Sequence, residues 1–186
     1  MNAPRVILIG GGVRSGKSAF ALSRARALGA RRLFLATARA YDAEMEDRIA
    51  RHRAERVGEF ETREVPVALP EALGALGGWD VAVVDCLTLW LSNLLLDGLG
   101  PAEIEERVEA LSGALRIAPC PVVLVTNEVG MGVHPETELG RLFRDLAGRT
   151  HQRLARVADE LHLAVLGTVL RLRPGPVEVV TPGEPQ

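Results

Sequence analysis

The sequence predicts an α/β fold in which a mostly parallel sheet carries helices on both faces. Three observations lead there. Short runs of β-branched and aliphatic residues alternate with longer helix-like stretches rich in alanine, leucine and arginine. Those runs are apolar throughout instead of alternating, as strands covered on both faces are. The first of them empties into Gly11-Gly12-Val13-Arg14-Ser15-Gly16-Lys17-Ser18, which fills the G-x-x-x-x-G-K-[ST] phosphate-loop pattern between a strand and a helix.

Each element has its own local reason. Val6 to Ile9 reads as a buried strand entering the glycine turn, and Lys17 to Leu28 as a helix closed by Gly29. Leu33 to Ala36 is a second strand. Asp42 to Arg56 is a polar helix with Asp42 as its N-cap. Glu61 to Val65 reads as a short edge strand stopped by Pro66. Val81 to Val84 is a third buried strand ending at Asp85. Leu87 to Leu96 and Pro101 to Ile117 read as helices, the second with proline in its first turn. Val122 to Val125 is a strand followed by Thr126, Asn127 and Glu128. A long helix from about Leu139 to Asp159 leads to strands at Leu161 to Leu166 and Val169 to Leu172.

A chain of 186 residues is expected to form one domain over residues 1–173, with 174–186 a loosely held tail rich in proline and glycine. Ligands in such sheets bind beyond the carboxyl ends of the strands. The polar or glycine-rich strand ends, at the Gly11 loop, Thr37, Asp85 and Thr126–Glu128, therefore point to one site.

Composition narrows the function. A net charge of −2 argues against general affinity for nucleic acid or anionic membrane, so any phosphate site must be local. The two cysteines, Cys86 and Cys120, sit in apolar stretches without metal-ligand spacing, which reads as reduced thiols in a cytoplasmic protein. No signal-peptide pattern opens the sequence, and the longest apolar run, Val81 to Leu96, is broken by Asp85 and Asn93. The basic residues are otherwise all arginine; Lys17 is the one lysine in the chain.

The phosphate loop carries a definite chemistry. Its glycines let the backbone wrap around phosphates, and the following helix adds its positive end. Lys17 is expected to neutralise the outer phosphates and Ser18 to hold magnesium, with Asp85 as the acidic partner of that ion. The competing readings are a chance glycine turn and, for Asp85, a strand-end cap. A phosphate loop does not name a reaction, although the absence of an N-K-x-D guanine signature disfavours a switch GTPase.

His52 lies among Arg48, Arg51, Arg53 and Arg56. A further positive charge is unfavourable there, which leaves an imidazole lone pair able to attack phosphorus while guanidinium groups hold the phosphate oxygens. On the pattern alone, such a helix is usually a solvated face with Glu44–Arg48 pairing.

Several segments together resemble one family. These are the phosphate loop, Ala36-Thr37-Ala38, the helix ending Arg48-Ile49-Ala50-Arg51-His52-Arg53, and Thr62-Arg63-Glu64-Val65-Pro66. Val84-Asp85-Cys86-Leu87-Thr88-Leu89-Trp90-Leu91-Ser92-Asn93-Leu94-Leu95, Thr126-Asn127-Glu128-Val129-Gly130-Met131-Gly132 and Phe143-Arg144-Asp145-Leu146-Ala147-Gly148 complete the set. In this order they resemble the bifunctional adenosylcobinamide kinase/adenosylcobinamide-phosphate guanylyltransferases, to about Arg173.

The resemblance implies a RecA-like sheet, a homotrimer, and ATP, GTP and magnesium as ligands. It implies phosphorylation of adenosylcobinamide, then transfer of GMP from GTP to the product through a histidine adduct, with loss of pyrophosphate. His52 falls on the nucleophile position. Ala36 to Ala38, Arg53, Ala54, Glu55, Arg56, Glu64 and Asp85 fall on nucleotide-site positions. His134 and His151 depart from the family, which often carries an aliphatic residue and asparagine there. Two readings of other kinds remain at this level: a plain small-molecule kinase, and a nucleotide-binding module without catalysis.

Overall fold

The computed structural model describes residues 5–40, 43–54, 56 and 58–180, with the backbone alone of Glu44 and Arg48. Its strands are β1 (Val6–Gly11), β2 (Arg32–Ala36), β3 (Glu61–Glu64), β4 (Val81–Asp85), β5 (Val122–Asn127), β6 (Glu160–Val165), β7 (Thr168–Arg173) and β8 (Glu178–Val180). The helices are α1 (Lys17–Leu28), α2 (Ala43–Ala54), α3 (Leu69–Gly74), α4 (Leu87–Leu96), α5 (Pro101–Ile117) and α6 (Glu138–Val157).

The strands form one sheet in the order β3-β2-β4-β5-β1-β6-β7-β8. From β3 to β6 every neighbouring pair is parallel, and β7 and β8 are added antiparallel. The mostly parallel sheet that the sequence predicts is therefore present, with β5 inserted between the phosphate-loop strand β1 and the Asp85 strand β4.

Strand periodicity sorts side chains into two cores. Val6, Leu8, Ala82, Val84, Val122 and Leu124 face a layer built from α3, α4, α5 and α6. Ile7, Ile9, Val81, Val83, Val123 and Val125 face the other way, onto Phe20, Ala21 and Ala25 of α1. Helix α2 differs from both layers: none of its described side chains is buried.

The elements depart from expectation at their ends. β1 and β5 each run two residues further than the apolar pattern, because Gly11 and Asn127 still pair with each other across the ladder. α2 stops at Ala54, so Arg56 lies beyond the helix instead of one turn past His52 on it. The expected Asp42 cap and the Glu44–Arg48 pair lie outside the described side chains. α3 has six residues, too few for helical periodicity to register, and starts with proline at its first turn. β8 pairs with β7 where the sequence predicts only a loose tail. The Leu166–Gly167 turn has φ of 52° and 77°. Two positive φ values make the tight hairpin connection that turns β7 antiparallel.

Candidate active site

The carboxyl ends of β1, β2, β4 and β5 open onto a cavity of about 570 Å³. Lys17 and Ser18 enter it from the start of α1, Asp85 from the end of β4 and Asn127 from the end of β5. His52, Arg53 and Arg56 enter it from the other side, on and just after α2. Ala36, Ala38 and Glu64 complete the predicted residues that line it.

Gly11 to Gly16 shape the turn without lining the cavity. Gly11 must be glycine for lack of room: a Cβ there would sit 2.5 Å from the Ala164 carbonyl oxygen on β6. Gly16 must be glycine for its backbone, which has φ of 95°. Gly12, Val13 and Arg14 are exposed, and Arg14 itself has φ of 56°. Gly16 caps α1 without any side-chain hydrogen bond, so no capping side chain covers the start of the helix. The Ser15 hydroxyl is buried without a hydrogen-bond partner. An orphaned hydroxyl beside a helix start with no capping side chain is what a phosphate would satisfy.

Lys17 is buried, and its Nζ donates to the Gly12 carbonyl at 3.1 Å. That bond folds the ammonium back over the loop. Asp85 faces it: burial pushes the Asp85 carboxyl above its usual range, opposed by the charge of Lys17, a hydrogen bond with Ser18, and the charges of His52 and Arg56. Ser18 and Asp85 thus bring two hard oxygen donors together. No cluster of three or more metal-ligating side chains occurs among the described residues. Two oxygen donors fit magnesium, which completes its shell with phosphate oxygens and water, and do not make a closed protein cage.

The arginines around His52 do different things. Arg51 is exposed and bonds back to the Asp47 carbonyl of its own helix at 3.4 Å. Arg53 pairs with Glu64 at 3.6 Å. Arg56 is buried with its guanidinium 3.6 Å from the centre of the Phe34 ring, a cation–π contact that holds it flat against the cavity wall. Ala54 is exposed and outside the cavity lining, and Glu55 lies outside the described residues.

Thr37 is fully buried and does not line the cavity. Its hydroxyl donates to the Cys86 carbonyl at 2.7 Å and accepts from the Cys86 amide at 2.8 Å. It fastens the end of β2 to the residue after Asp85. Buried Asn93 of α4 adds a second fastening, donating to the carbonyls of Thr37 at 2.7 Å and Pro66 at 2.9 Å.

Sequence reasoning missed several lining residues. Asn127 was visible as a polar strand end without an assigned role. Phe34, Met45, Ile49 and Leu89 form an apolar part of the wall, which an apolar pattern cannot distinguish from core. Arg39, paired with Asp97 at 2.5 Å and 2.9 Å, stands in a loop without a motif.

Residues 7–172 match the family described as CobU: cobinamide kinase / cobinamide phosphate guanyltransferase. The bifunctional adenosylcobalamin biosynthesis protein CobP of Pseudomonas aeruginosa is 42% identical over 171 residues, spanning 91% of this chain and 98% of that protein. The bifunctional adenosylcobalamin biosynthesis protein CobU of Escherichia coli is 38% identical over 184 residues, spanning 90% of this chain and 99% of that protein. In architecture the chain is similar to the RadB recombinase, with a TM-score of 0.53 at 17% identity over 95% of this chain and 87% of that one. That likeness shows a RecA-like fold. Among the described residues no helix is long and apolar enough to cross a membrane.

Proposed function

The chain belongs to the cobinamide kinase / cobinamide phosphate guanyltransferase family, and from that premise we propose how one cavity divides the two reactions between its ends. The protein is a bifunctional enzyme of adenosylcobalamin biosynthesis, a cobinamide kinase and a cobinamide phosphate guanylyltransferase. What carries the proposal is that His52 and the Lys17–Ser18–Asp85 group line the same space.

In the kinase half the loop amides and Lys17 hold the phosphates of ATP or GTP. The aminopropanol oxygen of adenosylcobinamide bonds to the γ-phosphorus, the bond from that phosphorus to the bridging oxygen breaks, the nucleoside diphosphate leaves and the hydroxyl proton is lost to solvent. Magnesium, held by Ser18 and Asp85, would supply charge neutralisation at the phosphates. In the guanylyl half a ring nitrogen of His52 attacks the α-phosphorus of GTP. The bond from that phosphorus to the bridging oxygen breaks, and pyrophosphate leaves. A phosphate oxygen of adenosylcobinamide phosphate then displaces the imidazole, which regenerates His52 and gives adenosylcobinamide-GDP. Arg53 and Arg56 provide the positive charge that such a transfer needs on its non-bridging oxygens. Family kinship further leads us to propose a homotrimer.

Incubation with GTP labelled at the α-phosphate tests the reading. An acid-labile, base-stable label on the protein, absent from His52→Ala, is expected. GTP binding without label, alongside normal cobinamide phosphorylation, would reduce the protein to a plain kinase. Binding with no turnover in either assay would leave a nucleotide-binding module.

A further inference from the structure

His151 of α6 has no part in the reactions above, yet it is the one histidine wedged against the end of a site strand. Its Nε2 lies 2.7 Å from Thr126 Oγ1. Its Nδ1 lies 3.6 Å from Glu128 Oε2, close enough for attraction though too long for a formed hydrogen bond. Glu128 is tied twice more. Its Oε1 accepts from the Gly130 amide at 2.7 Å, and its own amide donates to the Gly11 carbonyl of the phosphate loop at 3.0 Å. Burial holds the imidazole of His151 below its ordinary range, against the pull of Glu128. A neutral ring can accept from the Thr126 hydroxyl at one nitrogen while presenting N–H to Glu128 at the other.

Strand geometry makes this contact matter to the cavity. Successive side chains point to opposite faces, so Thr126 and Glu128 turn toward α6 and Asn127 between them turns toward the site. Asn127 lines the cavity with Lys17, Ser18 and Asp85, and its Nδ2 donates to Thr88 Oγ1 at 3.2 Å and to Cys86 Sγ at 3.8 Å, bonds that a phosphate oxygen would have to share or replace. We infer that His151 is a positioning residue for phosphoryl transfer: by bracing Thr126 and Glu128 from one face of β5, it fixes the Asn127 amide that β5 presents to the outer phosphates from the other. This rests on the kinase reading, because the amide it fixes stands across the ladder from Gly11, at the base of the phosphate loop.

The test measures both half-reactions and the KM for nucleotide in four variants. Asn127→Ala is expected to lower kcat for cobinamide phosphorylation about a hundredfold, the scale of losing one aligned donor. His151→Ala and Thr126→Val are each expected to lower it about tenfold, with the KM for nucleotide and the rate of His52 guanylylation within about twofold of wild type. Thr126→Ser restores the hydroxyl and should recover wild-type rates. Equal losses in both half-reactions, in step with a fall in Tm, would make His151 merely structural and overturn the inference, as would a harmless Asn127→Ala. A wild-type protein unable to phosphorylate cobinamide would instead refute the kinase reading. The bracing itself is then read without activity: His151→Ala should speed amide hydrogen exchange over residues 126–130, and unchanged exchange there would overturn it.

Discussion

Gly11 and Gly12 stand side by side in the phosphate loop, and the same added methyl group should be costly at the first and nearly neutral at the second. In Gly11→Ala the new Cβ would meet the Ala164 carbonyl oxygen at 2.5 Å, Ser15 Oγ at 2.7 Å and Ala164 Cβ at 3.1 Å. The first of these is backbone in register with Gly11 across the β1–β6 ladder, so it cannot rotate away. Either the ladder opens or the loop shifts. Overpacking of this kind costs about 1–3 kcal/mol, and the backbone neighbour puts Gly11→Ala at about 2–3 kcal/mol. With a urea m-value of about 2 kcal/mol per molar, the unfolding midpoint drops by roughly 1 M. A loop displaced by about 1 Å should also weaken catalysis by about a hundredfold. Around Gly12 nothing lies within 4 Å of a built Cβ, so Gly12→Ala should stay within about 0.5 kcal/mol of wild type. Urea titrations of both variants, with turnover assays at saturating nucleotide, decide the matter. Equal midpoints for the two variants would refute the reasoning from space.

Three further outcomes follow from the buried polar groups. Asn93→Leu removes the donor to two carbonyls, those of Thr37 and Pro66. At about 1–2 kcal/mol for each orphaned acceptor, the loss should be about 2–4 kcal/mol by denaturant unfolding. Asp85 has its carboxyl raised by burial beyond what Lys17 and Ser18 restore. Its folded value lies above its unfolded value, so stability falls as pH rises through that window and the carboxylate is a net cost at neutral pH. Asp85→Asn should therefore raise Tm without nucleotide while shrinking the Tm gain from magnesium and GTP. Glu160 runs the other way. Burial raises its carboxyl, but the hydrogen bond from His162 and the charges of Arg24 and His162 outweigh it and leave it lowered. Its contribution is present above the ordinary glutamate value and is lost as pH falls through the lower folded one, so Glu160→Gln should flatten the acid limb of a stability–pH curve.

The parts legible in the sequence share one property: their signal is local. α1, α4 and α5 appear where alanine, leucine and an N1 proline place them, and the phosphate loop follows from spacing alone. β8 and α3 were hidden because three and six residues hold fewer than two full repeats of the strand and helix periods. At the site, Lys17, Ser18 and Asp85 were readable because each ends a strand or starts a helix. The fate of Thr37 was not. A threonine at a strand end can face ligand or backbone, and only the tertiary approach of Cys86 decides it. Arg56 was readable as a nucleotide-site position, but its burial was not, since nothing within 20 residues of it in sequence announces the Phe34 ring on which it lies.

The side-chain amine at position 17 has no chemical twin in this protein, and it sits with 8% of its surface exposed beneath the Gly12 carbonyl. An acylating reagent that attacks primary amines therefore has a single side-chain target, at the centre of the machinery. Whatever fills the cradle shields that target, so the extent of acylation, read from the mass of the peptide that carries Lys17, becomes a direct gauge of how much of the enzyme is loaded.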